Sequence, residues 1–447
     1  MWRRFLALVL ALAPLASSAQ VAVPDTPAGQ VLSAWLDAFN SADRAQIEAY
    51  IQKHAAPTDS ADAMLDFRNL TGGVELLRIE SSEPRAIVYR IKELGRPRHN
   101  FARMVVSATD PPRVTSSFMR VVPPSVTATP NFDIDVATRD LVIDSLIAEL
   151  RETYVLEDKA EAMIEALTRR RAAGEYGAVA HGDELSLLLT EHMLAVSNDE
   201  HLNVNFSPVT FPAPPAQPAE PAPRPLAELE QLRRQATPAR CGFEKLEILA
   251  GNVGYLNLTT FPPDLEICGP TVTTAMAFFE SVDALIIDLR DNGGGDSAMV
   301  AYVSTYLFAE RTHLNDLWTR STGETVEFWT NPELPGKRLA TQLVYVLTSR
   351  RTFSGGEEFA YNLQSLNRAT IVGEPTRGGA HGVQNKTVDD RFGIRVPFER
   401  AINPVTKSNW EGTGVTPDVR VPAADALEKA QELLRSSAQQ PAPRPGA

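Results

Sequence analysis

The run Leu347-Thr348-Ser349-Arg350-Arg351-Thr352-Phe353-Ser354-Gly355-Gly356-Glu357-Glu358-Phe359-Ala360 changes character within fourteen residues. It opens as the end of an apolar strand, Leu343–Leu347, and closes as the start of a helix, Gly355–Leu366. The serine at the junction sits where unpaired backbone N–H groups point outward and the helix dipole is positive. That position suits a nucleophile whose attack creates an oxyanion. The following glycines let the helix start approach a substrate closely. Serine is also a common helix N-cap, so this segment alone leaves both roles open.

Upstream, the apolar strand Ala284–Leu289 runs into Asp288-Leu289-Arg290-Asp291-Asn292-Gly293-Gly294-Gly295-Asp296. A glycine-rich turn at a strand end exposes N–H groups that can cradle a phosphate or an oxyanion. No Gly-Lys-Ser/Thr follows, so it is not a Walker loop, and the Gly-x-Gly-x-x-Gly spacing is missing. Strand candidates Val253–Leu258, Ala284–Leu289, Leu343–Leu347, Ala369–Val372 and Phe392–Val396 alternate with helix candidates Thr273–Ser281, Ala298–Phe308 and Gly355–Leu366. This alternation predicts an α/β core with a largely parallel sheet covered on both faces. Ala426–Leu434 closes it, and 436–447 reads as a disordered tail.

N-terminal to this core, 131–207 reads as helical, with apolar faces at Val142, Leu146, Leu150 and at Leu185, Leu189, Met193. It ends in Asp199-Glu200-His201-Leu202 and a strand signal, Leu202–Phe206. Residues 208–225 hold eight prolines and make 208–240 an extended linker. Residues 27–122 read as a small α+β unit, helices first and then four strands, an architecture similar to the cystatin-like cone. Its expected role is substrate capture or partner docking.

Residues 1–19 have the form of a secretory signal: Arg3 and Arg4, an apolar run, then Ala-Ser-Ser-Ala. The run is too short to span a bilayer comfortably. The expectation is an exported protein, periplasmic or extracellular, with no stable membrane insertion. The net charge of −13 argues against a nucleic-acid partner. Export makes a Cys241–Cys268 disulfide possible, and closing that loop stabilises by ~3.5 kcal/mol in the chain-entropy model.

The segments 284–296 and 352–361 are joined by Ile371-Val372-Gly373-Glu374-Pro375-Thr376-Arg377-Gly378-Gly379-Ala380-His381 and by Asn403–Asp418. In this order they resemble the tail-specific (C-terminal-processing) serine peptidase family. The branch is the one similar to interphotoreceptor retinoid-binding protein and the tricorn protease core. The resemblance covers roughly 133–433 and implies a crotonase-like core, 241–435, behind an N-terminal helical domain. Many members use a Ser–Lys dyad with the lysine 25 residues after the serine; here that position is Gly379, and Lys386 lies outside the pattern. No room remains for the PDZ domain that many members carry. Both departures match the tricorn-like branch, which uses Ser, His and Glu.

Carried over, the resemblance makes Ser354 the nucleophile, His201 the base, Glu411 its supporting carboxylate, and the N–H groups of Gly294 and Gly355 the oxyanion hole. The chemistry is coherent: serine needs a base to take its proton, imidazole titrates near working pH, and a carboxylate orients the imidazole. His381 is a rival base, and Asp199 or Glu200 are rival orienting groups. Glu357 and Glu358 read as favourable charges near a helix N-terminus. No cluster has metal-ligand spacing, so neither metal nor other cofactor is expected. The implied partner is a peptide or protein substrate. The alternative is a non-catalytic carrier of apolar ligands, retinoid or fatty acid, on the same fold.

Overall fold

The computed structural model describes residues 21–56, 59–210, 225–236 and 241–439. The export signal, most of the proline-rich linker and residues 440–447 of the expected tail lie outside these. The chain divides into two compact units, Met1–Asp133 with Ser207–Val209, and Ile134–Phe206 with Thr210–Ala447.

The first unit begins with α1 (Pro27–Ser41), α2 (Arg44–His54) and α3 (Ala61–Thr71). Thr26, Asp43 and Ser60 cap them by accepting N–H bonds from the first turn. Pro27 occupies the first turn of α1, where its missing N–H costs nothing. The strands β1 (Val74–Ser82), β2 (Ala86–Glu93), β3 (His99–Val106) and β4 (Val114–Val122) follow in an antiparallel meander. Val31, Leu32 and Phe39 of α1 are buried in one core with Ile87, Tyr89 and Met104 of the sheet.

The second unit starts with α4 (Val136–Thr153), α5 (Glu157–Ala172), α6 (Gly182–Ser197) and the short strand β5 (Asn203–Phe206). The helix α7 (Leu226–Gln235) leads to β6 (Phe243–Leu249), β7 (Val253–Leu258), α8 (Leu265–Phe278), β8 (Ala284–Asp288) and α9 (Ser297–Thr305). Then come β9 (His313–Thr319), β10 (Thr325–Trp329), β11 (Leu343–Thr348), α10 (Gly355–Ser365), β12 (Thr370–Gly373), β13 (His381–Thr387), β14 (Phe392–Ile402), β15 (Val419–Arg420) and α11 (Ala426–Gln439).

One sheet runs β15-β12-β11-β8-β7-β6, parallel throughout except for the β6–β7 pair. All five residues of β8 are buried, as a central parallel strand covered on both faces requires. The second sheet runs β10-β9-β14-β13, with β5 added on β14.

Two expectations change. The α8 helix begins at Leu265, eight residues before the expected Thr273, because Asp264 caps it and Pro270 is tolerated inside. Proline leaves the carbonyl four residues back without its donor. That carbonyl, Glu266 O, accepts from Arg233 Nε at 2.9 Å instead. The α11 helix runs to Gln439, so 436–439 are helical where a disordered tail was expected. Cys241 and Cys268 form a disulfide that ties the start of β6 to α8, with Cα atoms 5.5 Å apart.

Candidate active site

Two loops leave the C-terminal ends of the neighbouring parallel strands β8 and β11 and are laced together. Ser349 Oγ donates to Arg290 O, Thr352 Oγ1 to Leu289 O, and Phe353 N–H to Asn292 O. Asn292, fully buried, also donates from Nδ2 to Leu258 O at the end of β7. The glycine-rich turn is thereby pinned against the serine turn. A Cβ on Gly294 would lie 2.7 Å from Ser354 Cβ, so that position tolerates no side chain.

Ser354 occupies φ 52° and ψ −121°, a conformation that side-chain-bearing residues rarely adopt. It is half-buried, between the end of β11 and the first turn of α10. Glu357, three residues on, is fully buried. Its carboxylate accepts from Ser354 N–H at 2.8 Å, Gly379 N–H at 2.9 Å, Gly378 N–H at 2.6 Å and the Thr376 hydroxyl. Burial pushes its pKa up, and these donors oppose the shift. Glu357 is thus a clamp joining the Ser354 turn to the 376–379 loop. The sequence reading gave it only a dipole role, since nothing local reveals that a distant loop supplies its donors.

Gly294 was expected to offer an oxyanion donor, but its N–H donates to Asn292 Oδ1 at 2.8 Å. Among the described residues, the N–H groups of Gly295 and Gly355 have no acceptor. These two amides adjoin, because a Cβ on Gly355 would stand 2.9 Å from Gly295 N. The pair available to a developing oxyanion is therefore Gly295 and Gly355.

His201 is 1 % exposed and lies just after α6. Its ring stacks on Phe353, centroids 4.6 Å apart. A Cβ on Gly379 would meet His201 Cε1 at 2.5 Å and the Phe353 ring at 2.4 Å. The imidazole therefore fills the space that a side chain at 379 would enter. Among the described residues neither ring nitrogen of His201 has a hydrogen-bond partner, so its bond to Ser354 Oγ is not made in this structure. Nδ1 faces Asp199 Oδ1 at 3.4 Å. Arg377 also lies over the Phe353 ring at 4.8 Å and pairs with Glu200.

Asp199 is the hub. Oδ1 also accepts the His201 backbone N–H at 3.0 Å, while Oδ2 lies 2.8 Å from His381 Nδ1 and accepts from Tyr154 Oη at 3.1 Å. Burial works against its charge, yet the two imidazoles hold its pKa below the ordinary carboxylate range. Glu411, expected beside His201, instead accepts from Ala380 N–H at 2.6 Å and lies 3.5 Å from His381 Nδ1. Burial first, and the nearby Asp199 charge next, raise its pKa to about 7 against the pull of His381.

His381 therefore stands behind Asp199, as an outer partner. Lys386 pairs with Glu149 on α4. Tyr154 carries no sequence signal, because its partner is 45 residues away. Asp199, His381 and Glu411 hold ligand-type atoms within 4.8 Å of one another, as do His313, Asp316 and Glu327. Sequence spacing hid both sets; in the first, a hydrogen bond from His381 to Asp199 and a close His381–Glu411 contact already account for the approach.

Chemically, an exposed-edge hydroxyl on a strained turn, two free amides and an imidazole backed by a carboxylate suit acyl transfer. Residues 252–421 match the model of peptidase family S41, and 137–236 match the N-terminal domain of that family in eukaryotic IRBP. The chain thus carries a peptidase family S41 domain preceded by the N-terminal domain of that family. It is 24% identical over 185 residues to the chloroplastic carboxyl-terminal-processing peptidase 2 of Arabidopsis thaliana, covering 38% of this chain and 32% of that protein. It is 28% identical over 179 residues to the chloroplastic C-terminal processing peptidase of Tetradesmus obliquus, covering 38% and 35%. The chain thus spans about a third of the length of these curated relatives. Among solved structures, the photosystem II D1 C-terminal processing protease superposes with a TM-score of 0.42 at 16% identity, covering 65% of this chain and 94% of that one.

Proposed function

We propose that this chain is an exported serine endopeptidase that cleaves peptide or protein substrates. Ser354 attacks the scissile carbonyl, His201 accepts its proton, and Asp199 orients His201 in the role first given to Glu411. The N–H groups of Gly295 and Gly355 receive the oxyanion. His381 and Glu411 hold Asp199 in place, and Glu357 holds Ser354. The observation that carries this reading is the convergence of His201 and Asp199 on the Phe353–Ser354 turn. Its missing His201–Ser354 bond is consistent with sites that tighten only around substrate.

The reading extends to a crotonase-like core at 241–435, a helical domain at 131–207, a linker at 208–240, a cystatin-like unit at 27–122 and a cleaved signal at 1–19. Among the described residues, no helix is long and apolar enough to cross a membrane. A fluorophosphonate probe should label Ser354 in the wild type. Ser354→Ala should abolish labelling and lower kcat by on the order of 10⁶ while leaving the fold intact. Peptide cleavage by that variant at the wild-type rate would refute the assignment.

The carrier reading has one observation in its favour. A cavity of about 470 Å³ opens between α7, β6 and α8, lined by Phe243, Leu246, Ile267 and Phe278 with Arg233. A protein that resists the probe but titrates with a fatty acid would support it.

A further inference from the structure

The first unit contains a second cavity, of about 360 Å³, enclosed by all three helices and by β2, β3 and β4. Its walls are aromatic and thioether: Trp35, Phe67, Met64 and Met119 among them. Two tyrosines also line it. Tyr50 is 7% exposed and Tyr89 2%. Among the described residues neither hydroxyl has a hydrogen-bond partner, and neither is sealed in packed protein, because both belong to the cavity wall.

The cavity is therefore where water or a guest supplies the missing bonds to these two hydroxyls. The charge lining the cavity is of one sign. Asp59, ahead of α3, is exposed at its rim, and among the described residues no Lys, Arg or His lines it. Asp59 is near enough to Tyr50 to add to the upward pKa shift that burial gives that phenol, and the Tyr50 hydroxyl acts likewise on the deeper Tyr89. Both phenols therefore stay neutral. An anionic guest would meet a carboxylate and no counter-charge. A cation would meet aromatic faces, phenol oxygens able to accept from it, and a carboxylate.

We propose that this cavity binds a small organic cation, an ammonium on an apolar or aromatic body. The body lies among Trp35, Phe67 and the methionines, and the ammonium donates to Tyr50 Oη and the Asp59 carboxylate. The volume is at the small end of the usual range for ligand sites, about 300–1,000 Å³, which fits a phenethylamine-sized guest. This site is independent of the peptidase reading, since every residue named belongs to the first unit.

The test is isothermal titration of the full chain with three probes of one shape: phenethylamine, 2-phenylethanol and 3-phenylpropionate. The amine should bind at least tenfold more tightly than the alcohol, and the acid should give no heat. Asp59→Asn and Tyr50→Phe, with wild-type melting confirmed for each, should weaken the amine by threefold or more without changing the alcohol. Equal binding of amine and alcohol would make the cavity a neutral apolar pocket and overturn the proposal. So would silence from all three probes, which would make it a site for water alone.

Discussion

The two sides of the candidate site are built on opposite terms. On the side of the proposed nucleophile, the backbone of Ser354 is fixed by Glu357, whose buried carboxylate is met by four donors from the Ser354 turn and the 376–379 loop. On the side of the proposed base, the His201 backbone is tied to Asp199, but its imidazole is held by contact alone: stacking on Phe353, the bare surface of Gly379, and Asp199 at 3.4 Å. Its ring nitrogens carry no hydrogen bond. A hydrogen-bonded clamp resists small shifts, whereas a packed ring moves whenever a neighbour changes size. Reactivity should therefore be more sensitive to substitutions around His201 than to equal changes along α10.

The largest expected effect separates the two carboxylates. Asp199→Asn should lower kcat by about 10⁴, as loss of an orienting carboxylate does elsewhere. Glu411→Gln, at a carboxylate that accepts from the Ala380 amide and lies against His381, should cost no more than about 10²-fold, a positioning effect. Steady-state kinetics on both variants decides; the reverse order would return the orienting role to Glu411.

Next in size is Gly379→Ala. Its methyl would enter the space held by His201 Cε1, and a displaced base should cost about 10²-fold in kcat with KM little changed. A variant with unimpaired turnover would remove His201 from the mechanism.

The smallest effect concerns stability. Glu358, on α10, accepts from Ser297 Oγ through one oxygen, while among the described residues the other has no hydrogen bond. Burial raises its pKa from 4.5 to about 7. The folded state therefore holds a proton that the unfolded state has released between these values, so stability falls as pH rises through that window. Glu358→Gln should lack this decline, gaining on the order of 3 kcal/mol on the wild type between pH 4.5 and 7. Urea melts at both ends of the range test it, and parallel stability curves would contradict it.

What the sequence disclosed depends on where each partner lies. The strand-to-helix junction at Ser354 was legible because its signals are adjacent: apolar β11, then Gly-Gly at the start of α10. The parallel strands read clearly, since burial on both faces makes them continuously apolar. The second sheet was harder. His313-Leu-Asn-Asp-Leu-Trp-Thr has no clean alternation, and β9 is defined by its partners β10 and β14. Asp199 was named only as a rival to Glu411, because nothing local reveals that Glu411 lies against His381 and the Ala380 amide while Asp199 faces His201. Gly295 was passed over for Gly294 because a glycine run does not reveal which amide Asn292 has already engaged.

The backbone angles of Ser354 carry one more consequence. They lie where glycine is at ease and a hydroxymethyl group is not, a penalty of about 1–3 kcal/mol that the native state bears in order to present the hydroxyl. Ser354→Gly should therefore outlast the wild type in a calorimeter. Under the proposed mechanism, screens that select this chain for thermal endurance alone would drift toward silence at its nucleophile.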